Sequence, residues 1–268
     1  MRKKLTLSVI IPVYNDENHL RACLKSVVAQ TIKPSEVIVV NNNSTDGSMK
    51  IVKDFPFVKV VHEEKQGVVF ARDRGFNAAK SVIIGRIDSD TVLPQDWTER
   101  ILKFYESSDR NEAAITGGCN FYNIRLPRLT SRFQGQVAFR WNRLLMGHYI
   151  LFGSNMAFTK KQWQEVSRQV CDDTDVHEDL GLVLHLHKLG YQINYDESLK
   201  VGVAMKRVRS NRKALWKNLM LWPKTLRRHG MKTWVFGYIG AVLFFMLSPL
   251  ARVAETIARF FGRKPLKD

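Results

Sequence analysis

The chain has 268 residues, 45% of them apolar and 25% charged, which excludes a disordered chain and allows a substantial core. Lysine and arginine number 42 against 25 aspartates and glutamates, a net charge of +17. The excess sits in the tail: residues 200–268 hold 16 basic and 2 acidic side chains, net +14, leaving net +3 for residues 1–199. A body of ordinary charge with a basic, aromatic tail points to anionic membrane or nucleic acid as a partner.

Residues 1–14, MRKKLTLSVIIPVY, imitate a signal peptide, but the apolar run is short, carries Pro12 and lacks a small-residue cleavage site. Residues 7–13 read better as a strand buried on both faces. Residues 16–30 predict a helix, with Leu20, Leu24, Val27 and Val28 on one stripe. Glu36–Val40 predicts a second buried strand, followed by a short helix near 46–54 and a strand over Val58–His62. Residues 67–80 predict a helix, and Ser81–Ile87 a strand that runs into Asp88-Ser89-Asp90. This alternation means α/β architecture with a parallel sheet.

Beyond Trp97 the pattern is less regular: a helix over 96–106, a strand over 113–119 and a basic-aromatic loop over 123–150. A strand at Gly153–Phe158 and a helix over Glu178–Leu189 follow. Three cysteines, Cys23, Cys119 and Cys171, form an odd set without metal-type spacing. They exclude a disulfide framework and a cysteine zinc site, and fit a reducing compartment.

Thr233–Ala251 is a run of 19 uncharged residues. As a helix it would span roughly 28 Å, about one bilayer core. A buried core helix is the alternative, and Gly237, Gly240 and Ser248-Pro249 leave room for a kinked or re-entrant form. Residues 211–229 and 250–261 each place apolar side chains opposite basic ones, as interfacial amphipathic helices do. The expected organisation is a catalytic domain over 1–205 and a membrane-associated region over 206–268.

In open α/β sheets ligands bind beyond the C-terminal ends of the strands. Three polar clusters lie at such ends: Pro12–Glu17, Asn41–Asp46 and Asp88–Asp90. Asp88 and Asp90, two residues apart, can both turn toward one cation, and oxygen ligands suit Mg²⁺ or Mn²⁺ bound together with substrate phosphates.

These segments, taken in order, resemble family 2 glycosyltransferases of the GT-A fold, from about Leu7 to Leu199. The resemblance is carried by SVIIPVYNDENHLRACLKSVVAQT, EVIVVNNNSTDGS, GVVFARDRGFNAAKSVIIGRIDSDTVLPQDW, GSNMAF and HEDLGLVLHLHKLGYQI. It implies a GT-A-like, mainly parallel central sheet flanked by helices, with the C-terminal membrane-associated helices added to it. It also implies an inverting enzyme that uses a nucleotide-diphosphate sugar and Mn²⁺ or Mg²⁺.

By the same resemblance Pro12, Tyr14, Glu17, Asn41, Arg72 and Asp88 border the nucleotide sugar. Asp88 and Asp90 hold the metal, Asp179 is the general base, and Asn155 and Glu178 lie on the acceptor side. Asn41 stands where the family usually has an aspartate, so the identity of the base does not carry over. Residues 200–206 offer no histidine as a further metal ligand, and the Gln-x-x-Arg-Trp element of processive polymer synthases is absent from the sequence.

Asp172, Asp173 and Asp175 read as a solvated acidic loop. His185 and His187, two apart on a helix, face different ways and are not expected to be ligands. Arg140, Trp141 and Arg143 could touch the acceptor or pack on the sheet.

The expected function is transfer of a sugar to an acceptor hydroxyl or phosphate, on a lipid-linked or glycan acceptor. The expected place is the cytoplasmic face of the cell membrane, with lipids contacted through residues 211–268. The alternative is a non-catalytic, basic membrane- or nucleic-acid-binding protein on a glycosyltransferase scaffold. The apolar run favours lipid over nucleic acid.

Overall fold

The computed structural model describes residues 5–106, 112–122, 139–170, 175–204 and 211–260, with residues 250–260 as backbone only. Cys171, Asp172 and Asp173 lie outside the described residues, as does most of the basic-aromatic segment after 122. Cys23 and Cys119 are buried free thiols.

The body alternates β1 (Leu7–Val13), α1 (Glu17–Val28), β2 (Glu36–Asn41), α2 (Ser48–Val52), β3 (Val58–His62), α3 (Val68–Ala78) and β4 (Ile83–Arg86). Next come β5 (Thr91–Val92), α4 (Trp97–Tyr105), β6 (Ala113–Phe121), α5 (Asn142–Met146), β7 (Met156–Thr159) and α6 (Lys160–Val166). The chain then runs through α7 (Glu178–Lys188), β8 (Gln192–Val203), α8 (Arg212–Arg228) and α9 (Trp234–Phe260).

The strands form one eight-stranded sheet in the order β3-β2-β1-β4-β7-β6-β8-β5. Strands β3, β2, β1 and β4 are mutually parallel. Strand β7 runs antiparallel between β4 and β6, β6 and β8 are parallel, and β5 closes the edge antiparallel to β8. The sheet is therefore mainly parallel, with β7 reversed at its middle.

The near-continuous apolar character of β1 follows from helices on both faces. Leu7, Val9, Ile11 and Val13 enter a core shared with α1 and α4, whereas Ile10 enters the opposite core with α3, α6 and α7. Strand β2 divides the same way, Val37 and Val39 to one side and Ile38 and Val40 to the other. Close approach of α3 needs Gly75, since a Cβ there would lie 2.9 Å from Val40 Cγ2 and closer still to Ile10.

Helix α8 joins the second core through Leu226, which is almost fully buried, with Trp222 packed at its margin. Helix α9 lies on α8, with Gly237 against Pro223 and Leu226. Its other side exposes Phe236, Ile239, Leu243, Met246 and Leu247, with Met246 67% exposed. No helix among the described residues is long and apolar enough to cross a membrane. The last two residues of the uncharged run, Leu250 and Ala251, have side chains outside the described ones.

Candidate active site

Strands β1, β2 and β4 end side by side, so their C-terminal loops meet at one edge of the sheet. The first two loops are laced together. Asn15, at φ 48°, accepts the Thr45 N–H on Oδ1 at 2.8 Å, and Asp46 accepts the Glu17 N–H at 3.0 Å. Asn15 and Asn43 both occupy the left-handed region, which asparagine tolerates better than most residues.

The residues expected to border the nucleotide divide by what they do here. Pro12 is half-buried within β1, and Tyr14 stands 55% exposed just beyond it. The Glu17 carboxylate accepts the Gly47 N–H at 2.6 Å, and Asn41 Oδ1 accepts the Ser44 N–H at 2.9 Å, so both hold loop backbone. Asn42 is buried. Its amide bonds Glu63 O, Lys65 O and the Gly67 N–H, which ties the loop before α3 to the end of β2.

Arg72 is fully buried on α3. Its Nε donates to Asp73 and its Nη1 to Glu178 O, each at 2.8 Å, while Nη2 has no partner among the described residues. This ties Arg72, on α3, to the start of α7. The unpartnered donor is suited to an anionic ligand.

Asp88 follows β4. Its Oδ1 accepts from Arg86 Nη2 at 3.1 Å and its Oδ2 from Ser154 Oγ at 2.5 Å. Asp90 is buried nearby, its backbone carbonyl bonded by Tyr122 Oη at 3.0 Å. Ser89 Oγ donates to buried Asp16 at 2.5 Å. Burial, together with Asp90, Asp16 and Asp88, pushes the Cys23 thiol far up, so it is an unreactive thiol.

Among the described residues no three His, Cys, Asp or Glu side chains converge as a metal cluster. Two carboxylates suffice for Mg²⁺ or Mn²⁺ when substrate phosphates and water complete the shell. The oxygen donors of Asp88 and Asp90 fit such an ion.

Arg86 was not anticipated, and it organises the centre. Its side chain is 2% exposed. It ion-pairs with Asp179 through Nη1, and its Nη2 lies 3.1 Å from Asp88 and 3.5 Å from Glu178. The signal was present in the sequence: an arginine within an apolar strand, two residues before Asp88, must find carboxylate partners. Burial opposes its charge, but Asp179, Asp88 and Glu178 outweigh burial and raise its pKa.

Asp179 opens α7. Its Oδ1 takes Arg86, and its Oδ2 accepts the Gly153 N–H at 3.0 Å. Burial pushes its carboxyl up, and Arg86 only partly offsets that. For Glu178 burial also raises the pKa, but His177, Arg86 and Arg72 prevail and hold it down at about 2. Two adjacent carboxylates thus have opposite tendencies, Asp179 raised and Glu178 lowered.

Asn155, expected on the acceptor side, sits inside the sheet. It is fully buried, and its amide bonds Trp97 Nε1, Gly118 O and Leu199 O at 2.7–3.1 Å. It braces the sheet behind the crevice, and its neighbour Ser154 is the residue that reaches Asp88. Trp141 is 51% exposed, Arg140 pairs with Glu197, and Arg143 bonds Tyr149 Oη at 2.8 Å. His185 faces His229, while His187 stacks on His148, so the two point to different neighbours.

The comparisons with known proteins fit this arrangement. The family model described as "Glycosyl transferase family 2" matches residues 8–165. Glycosyltransferase GlyA of Streptococcus pneumoniae is 40% identical over 122 residues, covering 44% of this chain and 17% of that protein. The putative glycosyltransferase EpsH of Bacillus subtilis is 34% identical over 119 residues, 43% of this chain and 33% of that protein. The chain thus spans a third or less of these two relatives' lengths.

Among solved structures, a mannosyltransferase from Pyrobaculum calidifontis in complex with GDP-Man and Mn²⁺ superposes with a TM-score of 0.66. It is 19% identical, over 96% of this chain and 74% of that one. S. aureus TarS 1–349 in complex with UDP-GlcNAc gives a TM-score of 0.57 at 15% identity, over 91% and 81%. These likenesses establish a GT-A-like fold. A family model that covers more than half of the sequence, on strands that gather its motifs at one edge, establishes the rest: the chain belongs to glycosyl transferase family 2.

Proposed function

We propose that the protein transfers a sugar from a nucleotide-diphosphate donor to an acceptor hydroxyl or phosphate, with inversion at the anomeric carbon. The observation that carries this reading is the line Asp88–Arg86–Asp179, which joins Asp88, the first of the two carboxylates after β4, to a buried candidate base. The loops after β1 and β2 and the buried Arg72 hold the donor. Asp88 and Asp90 would hold Mn²⁺ or Mg²⁺, which would supply positive charge to offset that on the diphosphate. Asp179 takes the proton of the attacking acceptor oxygen, a contribution of about 10²–10⁴-fold. Its raised pKa makes it a stronger base than an ordinary carboxylate, and Arg86 aims it.

The acceptor is lipid-linked or a glycan presented at the cytoplasmic face of the cell membrane. Support comes from the exposed apolar face of α9 and from Arg212 and Arg227, which lie over its Phe245 and Trp234 rings. Such a face, flanked by arginine, suits the boundary between headgroups and acyl chains. The test is nucleotide release from a panel of GDP-mannose, UDP-GlcNAc and related donors, with Mn²⁺ or Mg²⁺ and membrane lipid extract. Release that depends on both metal and lipid supports the reading. A protein that releases nucleotide from none of the donors refutes it.

A further inference from the structure

Helix α8 meets helix α7 at both ends. At the start of α7 the His177 N–H donates to Thr225 Oγ1 at 2.8 Å, and the Trp222 indole stands edge-on to the His177 ring with centroids 5.3 Å apart. Thr225 is fully buried, and its own hydroxyl proton goes to Leu221 O at 2.7 Å, which leaves a lone pair for His177. At the far end His229 Nε2 lies 3.2 Å from His185 Nε2, and His229 Nδ1 lies 3.0 Å from Thr225 O.

His177 is the cap residue of α7, and it makes no side-chain cap of its own. The segment 177–179 is therefore placed by its neighbours. From the donor side come Arg72 to Glu178 O, and Arg86 and Gly153 to Asp179. From the tail side comes Thr225. Helix α9 bears on the same spot, because its Gly237 packs on Pro223 and Leu226, which flank Thr225.

We propose that Thr225 is a positioning residue for the general base: it fixes the cap of α7, and with it the aim of Asp179, without touching the donor. This rests on Asp179 being the base. A base whose aim drifts by about 1 Å can lose roughly 10²-fold in rate even when binding is intact.

The test uses the full chain with the donor found by the panel above, Mn²⁺ and membrane lipid extract. Wild type, Thr225→Val, Thr225→Ser and Asp179→Asn are compared for kcat, donor KM and nucleotide affinity. Thr225→Val keeps the shape but removes the acceptor of the His177 N–H. It should lower kcat by about 10-fold to 10²-fold, with donor KM within roughly twofold of wild type. Thr225→Ser, which keeps the hydroxyl, should restore kcat.

A wild-type kcat in Thr225→Val, alongside loss of transfer in Asp179→Asn, overturns the proposal and leaves the base intact. So does an equal loss of donor affinity and rate, or failure of serine to rescue. Wild-type transfer by Asp179→Asn would instead remove the base assignment itself. Should Thr225→Val fail to fold, Trp222→Leu, which strips the ring from His177, must show the same split between kcat and KM.

Discussion

Arg86 and Asp179 form a buried ion pair between the end of β4 and the first turn of α7, and the same guanidinium reaches Asp88. The pair thus ties Asp88, after β4, to Asp179 in the first turn of α7. Removing one partner of a buried pair leaves the other charge without compensation. Arg86→Ala should therefore destabilise the fold by about 3–5 kcal/mol and abolish transfer. Arg86→Lys keeps the charge but loses the fork that serves three carboxylates, and should fall between. Thermal unfolding checks the order wild type, lysine, alanine; an alanine variant that melts with wild type would mean the pair is not formed in solution.

Gly153 is held to its identity by the same pair. A Cβ there would collide with the Asp179 carboxylate and lie 2.9 Å from the Arg86 guanidinium. Gly153→Ala should cut transfer by roughly 10²-fold, because it displaces the base, while nucleotide affinity stays near wild type. Transfer kinetics and nucleotide titration together check this; unchanged transfer would show that the carboxylate can move aside without cost.

The pH dependence follows from Asp179. Burial raises its carboxyl, so it is protonated, and idle as a base, at higher pH than an ordinary aspartate near 4. Transfer should fall as pH drops through that raised value, with an acid limb higher than an ordinary aspartate would give. Glu178, held at about 2, stays charged throughout and adds no limb of its own. A rate profile flat down to pH 4 would contradict the assignment.

The α9 face gives a prediction independent of catalysis. Ile239 and Leu243 are 50% and 56% exposed, so aspartate at both positions should leave the fold unchanged. Flotation with vesicles of phosphatidylcholine and phosphatidylglycerol should fall steeply in Ile239→Asp/Leu243→Asp. Flotation equal to wild type would mean that this face does not meet lipid.

Much of this architecture was legible where one physical signal dominated. Strands β1 and β2 have continuous apolar runs because both faces are covered, and their limits were read within one residue. Strand β8 was missed. Its sequence, QINYDESLKVGV, carries exposed polar residues midway, and only pairing along β6 makes it a strand. Strand β5 is two residues long, too short for any periodicity. Helix α6 was missed as well, although Thr159 and Gln162 form a capping box at its start.

In the site, Asp88 and Asp90 stood out as paired carboxylates after a strand, whereas Asp179 came into view only through the family resemblance. The separation of Asp88 from Asp179 in the chain hid the partner that joins them. Arg86 becomes a site residue only when α7, 93 positions later, folds over the end of β4. Asn155 was placed on the acceptor side from its motif alone; the sequence does not show that Trp97 and the backbone of β6 and β8 bond its amide.

The central claim, that Asp179 is the base of a sugar transfer, is tested most directly by Asp179→Asn, with nucleotide binding and product formation followed on the same preparation. The amide keeps the shape of the carboxylate but cannot take the acceptor's proton. The expected result is nucleotide affinity close to wild type, with transfer reduced by about 10²–10⁴-fold. Transfer at the wild-type rate, or a wild-type product that retains the donor's anomeric configuration, would contradict it.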